Sequence, residues 1–376
     1  MSESISEIPA QAPPKERESS FDIAKGLGIL FVFGIHCSNN SSRLYVNSHS
    51  VPWWTLTLIN RICNFAVPLF LLLSAVLYAR SLAGKPNVVP FYVKRLAGVL
   101  WPYLVWSALY FCFRMAKEPA SRKLESANFL GLNVTSPALL LHTKARLLDL
   151  LWGKASFHLY FLVVLVGLVI LLPPALAYLR WRKPGFIEVI VTSIIIQGGI
   201  YVLQHNYLKL QYPASTVFWY IGSLIPGVWI GLNWTSFKAN PHRYSVLVGV
   251  LALISGYVFL KGEIGLIQHI QPENYTANGS QAAYTSFMAI LVLSCCVGLA
   301  EHTNARRLFE PLGVNSLQIY LIHPIIIVLL EKPMIVKTLN ATYVGPLLSP
   351  LLMLAITVGL IAVLRVLRLE KPLFGR

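Results

Sequence analysis

FDIAKGLGILFVFGIHCSNNSS, residues 21–42, is an apolar run with Asp22 and Lys25 at its start and His36 towards its end. A membrane span needs about 20 mainly apolar residues, and an ionisable group inside one is costly unless it has a partner or a task. A helix rises 1.5 Å per residue, so the eleven residues from Lys25 to His36 cover about 16 Å. With Lys25 at one edge of a hydrocarbon core roughly 30 Å thick, His36 lies beyond its midplane. One end of the helix then offers a cation to water. The other offers an imidazole deep in the membrane.

The rest of the chain supports a membrane setting. Of 376 residues, 56% are hydrophobic and 12% charged, whereas a soluble domain carries about twice that charged fraction. Mean hydropathy is +0.62. The net charge of +16 does not point to nucleic acid, because the basic residues fall between apolar runs instead of forming one patch. That spread fits topology signals and contacts with anionic lipids. The opening MSESISEIPAQAPPKERESS is polar and proline-rich, has no basic-then-apolar leader pattern, and reads as a disordered cytoplasmic tail over 1–20. The five cysteines lie in or beside apolar runs with no metal-type spacing and read as small core hydrophobes.

The predicted fold is all-α and polytopic, with about ten spans near 22–38, 53–79, 96–113, 156–178, 185–203, 216–234, 245–260, 282–300, 312–330 and 346–364. With the N-terminus inside, 18 of 31 basic residues fall on the inner side and 12 on the outer, with Arg61 inside a span. Seven of the outer 12 sit in one long connector, Arg114 to Lys154, where length weakens the rule, so both termini are expected in the cytoplasm. The domain expected is 21–368, followed by a short cytoplasmic tail, 369–376. The connector over 114–155 is partly amphipathic and suits the membrane surface. With the polar loop 261–281 it is a candidate floor for an outward-facing site, or a plain solvated loop.

His36 has polar company at similar depth. LGVNSLQIYLIHPIII places Tyr320 and His323 on one helix face, at i and i+3. The second helix brings Asn60, Arg61 and Asn64 into its outer half, and FHLYFL puts His158 at the outer boundary. Three roles are open to these histidines. They can be satisfied interhelical hydrogen bonds. They can ligate metal, although no His-x3-His or carboxylate pairing is present. They can move protons, for which imidazole is suited near neutral pH, and the cation one helix-half from His36 favours this third role.

Several stretches resemble acyltransferase family 3, membrane-bound acyltransferases that modify cell-envelope glycans, lipids and other acceptors. FDIAKGLGILFVFGIH is similar to the family's opening motif, an acidic residue, a basic residue and a histidine eleven residues after it. INRICNFAVPLFLLLSAVLYA carries Pro68, Phe70 and Ser74 as in the second-helix motif, and FYVKRLAGVLWPYLVW resembles the basic segment that leads into a Pro–Tyr helix. FHLYFLVVL and NSLQIYLIHP resemble the later motifs. The resemblance runs from 21 to about 325. It implies a ten-helix core, acyl-CoA as co-substrate from the cytoplasm and an acceptor hydroxyl on the outer side; no bound cofactor or metal is expected.

Carried onto these residues, the resemblance makes His36 the catalytic histidine and puts Arg95 in the basic motif that holds CoA, and the CoA pyrophosphate is expected among Lys25, Lys94 and Arg95. Asp22 joins the catalytic set as partner of Lys25, since fourteen residues of helix put it about 21 Å from His36. Arg61, Tyr320 and His323 would stabilise the oxyanion or orient the acceptor, and His158, Asn64 and Ser74 would line the substrate path. Cys37 is a candidate acyl-carrying nucleophile beside His36, though adjacent helical residues point about 100° apart. The chain departs from the pattern at Lys25, where the family has arginine and its bidentate fork. It departs again at Gly98, where a second arginine is missing after Arg95, at Ala75 for glycine and at Tyr160 for tryptophan.

The function expected is transfer of an acyl group, acetyl first, from acyl-CoA to a hydroxyl of a surface polysaccharide or glycolipid. The expected setting is a bacterial inner membrane, among membrane lipids and in reach of glycan-assembly machinery. The alternatives are a flippase for a polysaccharide intermediate, which needs no CoA, and a non-catalytic assembly subunit with structural histidines. Trp53, Trp54 and Trp152 either stack on sugar or belong to the interfacial aromatic belt.

Overall fold

The computed structural model describes residues 17–39, 46–82, 89–117, 124–129, 132–137, 150–267, 275–331 and 335–375. Residues 1–16 of the tail expected over 1–20 and parts of both loops expected on the outer side lie outside these residues, whereas the tail's last two residues, Ser19 and Ser20, open the first helix. In chain order the main helices are α1 (Ser19–Cys37), α2 (Val51–Leu82), α3 (Val89–Lys117), α4 (Tyr160–Arg182), α5 (Phe186–Leu208) and α6 (Val217–Leu232). They continue with α7 (Pro241–Ile267), α8 (Tyr275–Leu299), α9 (Thr303–Val314), α10 (Ser316–Glu331), α11 (Gly345–Val366) and α12 (Glu370–Phe374). Among the described residues, eight helices are long and apolar enough to cross a membrane, and α9 with α10 makes a ninth if that bent pair is one span. The chain is a multi-pass, helical integral membrane protein. The connector after α3 adds one antiparallel hairpin, Leu124–Phe129 with Leu132–Pro137, the one departure from helix among the paired elements described.

Two of the ten expected spans take an unexpected form. The sixth, α6, is about 24 Å long, short of a roughly 30 Å core. Its own first turn, Val217–Tyr220, is 3₁₀, and another 3₁₀ turn at Pro213–Ser215 precedes it, where Pro213 offers no N–H to a regular helix. The ninth breaks by 70° between Val314 and Ser316, so only α10 runs into the bundle. α9 instead lies against the start of α1, and glycines allow the approach: a Cβ on Gly313 would fall on the Asp22 carbonyl, and one on Gly26 on the Phe309 carbonyl.

α1 and α2 form the centre, with 67% of their spanning residues buried, whereas α7 buries 22% and faces outward. Proline shapes α2. The ring of Pro68 conflicts with the carbonyl four residues back, at Asn64, and a 3₁₀ turn over Cys63–Phe65 accommodates it. α6 packs closely on α2, with Gly227 against Ala75 and Leu72, and Gly231 against Val76 and Ala79. Gly227 thus provides the space that a glycine at position 75 would otherwise give.

Both ends of the described chain reach the same end of the bundle. Glu18 pairs with Lys238 at 2.7 Å, and Asp22 with Arg17 and Lys25. Gly313 touches Asp22, and Arg365 reaches Asn315 at 3.1 Å. The segment expected as a short cytoplasmic tail over 369–376 holds α12, whose Phe374 is buried and stacked on Trp106 at 5.7 Å.

Candidate active site

Three helix ends bring the histidines together. His36 comes from the last turn of α1, His323 from α10, and His158 from the turn before α4. A left-handed turn at Gly153 (φ +68°) folds this last segment back on Leu159 and Tyr160. The His36 and His323 rings stack at 5.1 Å between centroids, and His158 meets His323 edge-on at 5.4 Å. His158 and His323 are fully buried, whereas His36 is partly open and lines a cavity.

Their hydrogen bonds assign different tasks. His323 Nδ1 lies 2.7 Å from the Tyr320 carbonyl, which fixes the proton on Nδ1 and leaves Nε2 as a bare acceptor. Among the described residues that Nε2 is buried with no hydrogen-bond partner, as is Nε2 of His158. His158 Nδ1 lies 3.1 Å from Ser156 Oγ. Tyr320 donates its hydroxyl to the His158 carbonyl, and Tyr110 donates to the Leu321 carbonyl at 2.7 Å, so α10 is tied to both α3 and the turn before α4. The ring of His36, edged by Phe157 at 4.9 Å, has no such tie among the described residues and faces open space. Among these residues no group of three or more His, Cys, Asp or Glu is arranged to hold a metal ion.

Two cavities share one wall residue, Tyr320, beside this cluster. The smaller, about 240 Å³, is lined by His36, His158, Asn64 and Tyr320, with aromatic walls from Tyr201, Trp219 and Tyr220 and polar groups from Gln281 and Ser286. The larger, about 1160 Å³, has Lys25, Lys94 and Arg95 among its walls, then Ser74, Phe70 and Phe161, and Tyr320 at its inner side. Tyr320 is a wall of both. An apolar groove of about 510 Å³ between α4, α5 and α6 shares Trp219 with the smaller cavity.

The expected site residues divide accordingly. His36, His158, Asn64 and Tyr320 gather at the smaller cavity, with His323 stacked behind His36. Lys25, Lys94, Arg95 and Ser74 gather at the larger one. Asp22 is buried and pairs with Lys25 at 3.2 Å and with Arg17. Its carboxylate holds the Arg17 pKa above the ordinary guanidinium value. Arg61 lines neither cavity: it pairs with Glu263 at 2.6 Å, while Asn60 donates to the Ile35 carbonyl at 2.9 Å. Cys37 is buried with Sγ 3.4 Å from Met353 Sδ, on the side away from the cavity.

Trp53, Trp54 and Trp152 line neither cavity. Trp53 and Trp54 pack edge-on at 4.9 Å beside His49, and Trp152 lies against Tyr212. Sequence reasoning missed the aromatic walls the cavity does have. The one available signal was the Phe218-Trp219-Tyr220 run just after Pro213, at the mouth of a span. Of the two loops expected as the floor, 261–281 contributes Gln281, while 118–123, 130–131, 138–149 and 268–274 lie outside the described residues.

A family model described as an acyltransferase domain (Acyl_transf_3) matches residues 18–366. Comparison with curated proteins and with solved structures returned no match.

Proposed function

Because the chain belongs to acyltransferase family 3, we propose that it moves an acyl group, acetyl first, from acyl-CoA to a hydroxyl of a cell-envelope polysaccharide or glycolipid. The observation that carries this is that Tyr320 lines two cavities, one with basic residues among its walls and one lined by His36. Lys25, Lys94 and Arg95 are suited to CoA phosphates by charge-assisted hydrogen bonds. The pantetheine arm follows the apolar wall past Ser74, Phe70 and Phe161 and brings its thioester to Tyr320.

The acceptor occupies the smaller cavity, where aromatic faces and amide or hydroxyl groups match the faces and edges of a sugar. A neutral His36 takes the proton of an acceptor hydroxyl as its oxygen bonds to the acyl carbon. The C–S bond then breaks, and His36 returns the proton to the departing thiolate, giving ester and free CoA. His323, fixed by the Tyr320 carbonyl, supports the His36 ring from behind. Tyr320 commits its hydroxyl to His158 in this state and acts as the shared wall. The apolar groove at Trp219 favours an acceptor with a lipid chain, whose head would enter the smaller cavity. The basic end faces the cytoplasm by its charge, which suits a bacterial inner membrane and a cytoplasmic acyl-CoA pool.

The test compares membranes holding wild type or His36→Ala at equal abundance, supplied with labelled acetyl-CoA. The expected result is label in glycan or lipid fractions with wild type only. Equal transfer by both proteins would remove His36 from the chemistry. Thioester consumption by neither would remove acetyl-CoA as donor.

A further inference from the structure

We infer that the segment after α11 completes the donor site, with Arg368 and Lys371 supplying phosphate-binding cations in place of the arginine that Gly98 lacks. The inference rests on the acyl-CoA reading above and adds residues that lie beyond the matched family domain, which ends at 366.

Among the described residues, the larger cavity is lined by five cations and by no carboxylate. Lys25, Lys94 and Arg95 come from α1 and α3, while Arg368 and Lys371 come from the C-terminal segment. These cations are not equally available. Lys25 shares Asp22, and the Arg95 guanidinium lies over the rings of Tyr78 and Phe91, 5.0 and 5.5 Å from their centroids. Glu370, the carboxylate between Arg368 and Lys371, is taken by Arg365 and Gln318. Among the described residues neither Arg368 nor Lys371 has an acidic partner. Unpaired cations around a deep cavity are a match for the diphosphate and 3′-phosphate of CoA.

The segment is held where the gap is. Gly98 lies one helical turn after Arg95 and one before Trp101, on one face of α3. A Cβ at Gly98 would meet no atom within 4 Å, so the place of the missing side chain is open. The next turns of that helix clamp the C-terminal segment. Trp101 Nε1 donates to the Pro372 carbonyl at 3.2 Å, and Trp106 Nε1 to the Leu373 carbonyl at 3.0 Å. Phe374 is buried against Trp106. Arg368 itself adopts a left-handed backbone (φ +58°), uncommon for a residue with a Cβ, and this turn redirects the chain after α11. A solvated tail has no need of such anchoring, whereas a wall that must present two cations does.

The test measures equilibrium binding of CoA and of pantetheine to the full-length protein in lipid nanodiscs. Wild type, Arg368→Ala/Lys371→Ala, and that double variant with Gly98→Arg added are compared. Loss of both cations is expected to weaken CoA binding roughly ten-fold or more, given what hydrogen bonds to charged groups contribute, and to leave pantetheine binding unchanged. Gly98→Arg should restore much of the CoA affinity, which a folding defect would not allow. If wild type binds CoA and the double variant binds it equally well, the assignment of Arg368 and Lys371 falls alone. It falls too if CoA and pantetheine binding drop together with no recovery on adding Gly98→Arg. If wild type itself shows no affinity for CoA, the donor reading falls and this inference with it.

Discussion

The imidazoles of His36 and His323 stack at 5.1 Å between centroids and 29° between planes, yet they are placed for different work. His323 is fully buried and spends its Nδ1 proton on the Tyr320 carbonyl, while His36 opens on the cavity. A base must reach its proton, and of the two rings His36 has that access.

His36→Gln should therefore lower kcat by about 10² to 10⁴, the usual contribution of a general base, with little change in KM for acyl-CoA. His323→Phe keeps an aromatic ring behind His36 and should cost less than about ten-fold, because it removes support and not the base. Steady-state kinetics on both variants decide between the rings. The opposite ranking would make His323 the base and His36 its support.

Gly313→Ala should destabilise the protein although alanine is the better helix former. Helix propensity alone would favour the change by up to about 1 kcal/mol. The new Cβ would fall on the Asp22 carbonyl, and a backbone atom cannot give way as a flexible side chain can. Overpacking of this kind costs roughly 1–3 kcal/mol, so sterics should win. Gly98→Ala, with open space around its Cβ, is the control and should be neutral or slightly stabilising. Thermal melting of the purified proteins measures both, and equal melting would show that α9 can slide along α1 without cost.

Local patterns made much of this molecule legible. Hydropathy located the spans, and a rise of 1.5 Å per residue placed His36 and His323 at matching depth, where their rings stack. The sequence did not reveal what depends on distant partners. The 70° break at Asn315 follows from α9 docking on α1 through Gly26 and Gly313, and neither glycine announces the other. Tyr201, Trp219 and Tyr220 lie at the ends of apolar runs, where cavity walls and core aromatics look alike. The short C-terminal helix looked like a tail because its anchors, Trp101 and Trp106, are far away on α3.

Trp219→Ala should act on the acceptor and spare the donor. Trp219 is a wall of both the small polar cavity and the apolar groove, packed edge-on against Tyr201 at 4.3 Å, and it does not line the larger basic cavity. Losing one aromatic stacking face is worth about 1 kcal/mol, so KM for the acceptor should rise several-fold with KM for acyl-CoA unchanged. A change confined to acyl-CoA would reverse the assignment of the two cavities.

Arg61 offers the last test, because its sequence position suggested chemistry and its structure suggests a brace. Its guanidinium meets Glu263 at 2.6 Å and Asn60 Oδ1 at 3.4 Å, joining α2 to α7, and it lines neither cavity. The paired side chains are 27% and 16% exposed, between the surface case, where a pair contributes under about 1 kcal/mol, and the buried case, where removing one partner costs about 3–5. Arg61→Ala and Glu263→Ala should each lower stability by roughly 1–3 kcal/mol, since each leaves a half-buried charge alone. The double variant should lose less than the sum, because neither charge is then stranded. Activity per folded molecule should stay within about two-fold in all three. Unfolding in mixed micelles gives the stability terms, and transfer of labelled acyl groups, normalised to folded protein, gives the activity. If Arg61→Ala removed activity while Glu263→Ala and the melting curves did not change, Arg61 would belong to the reaction and its pairing with Glu263 would be incidental.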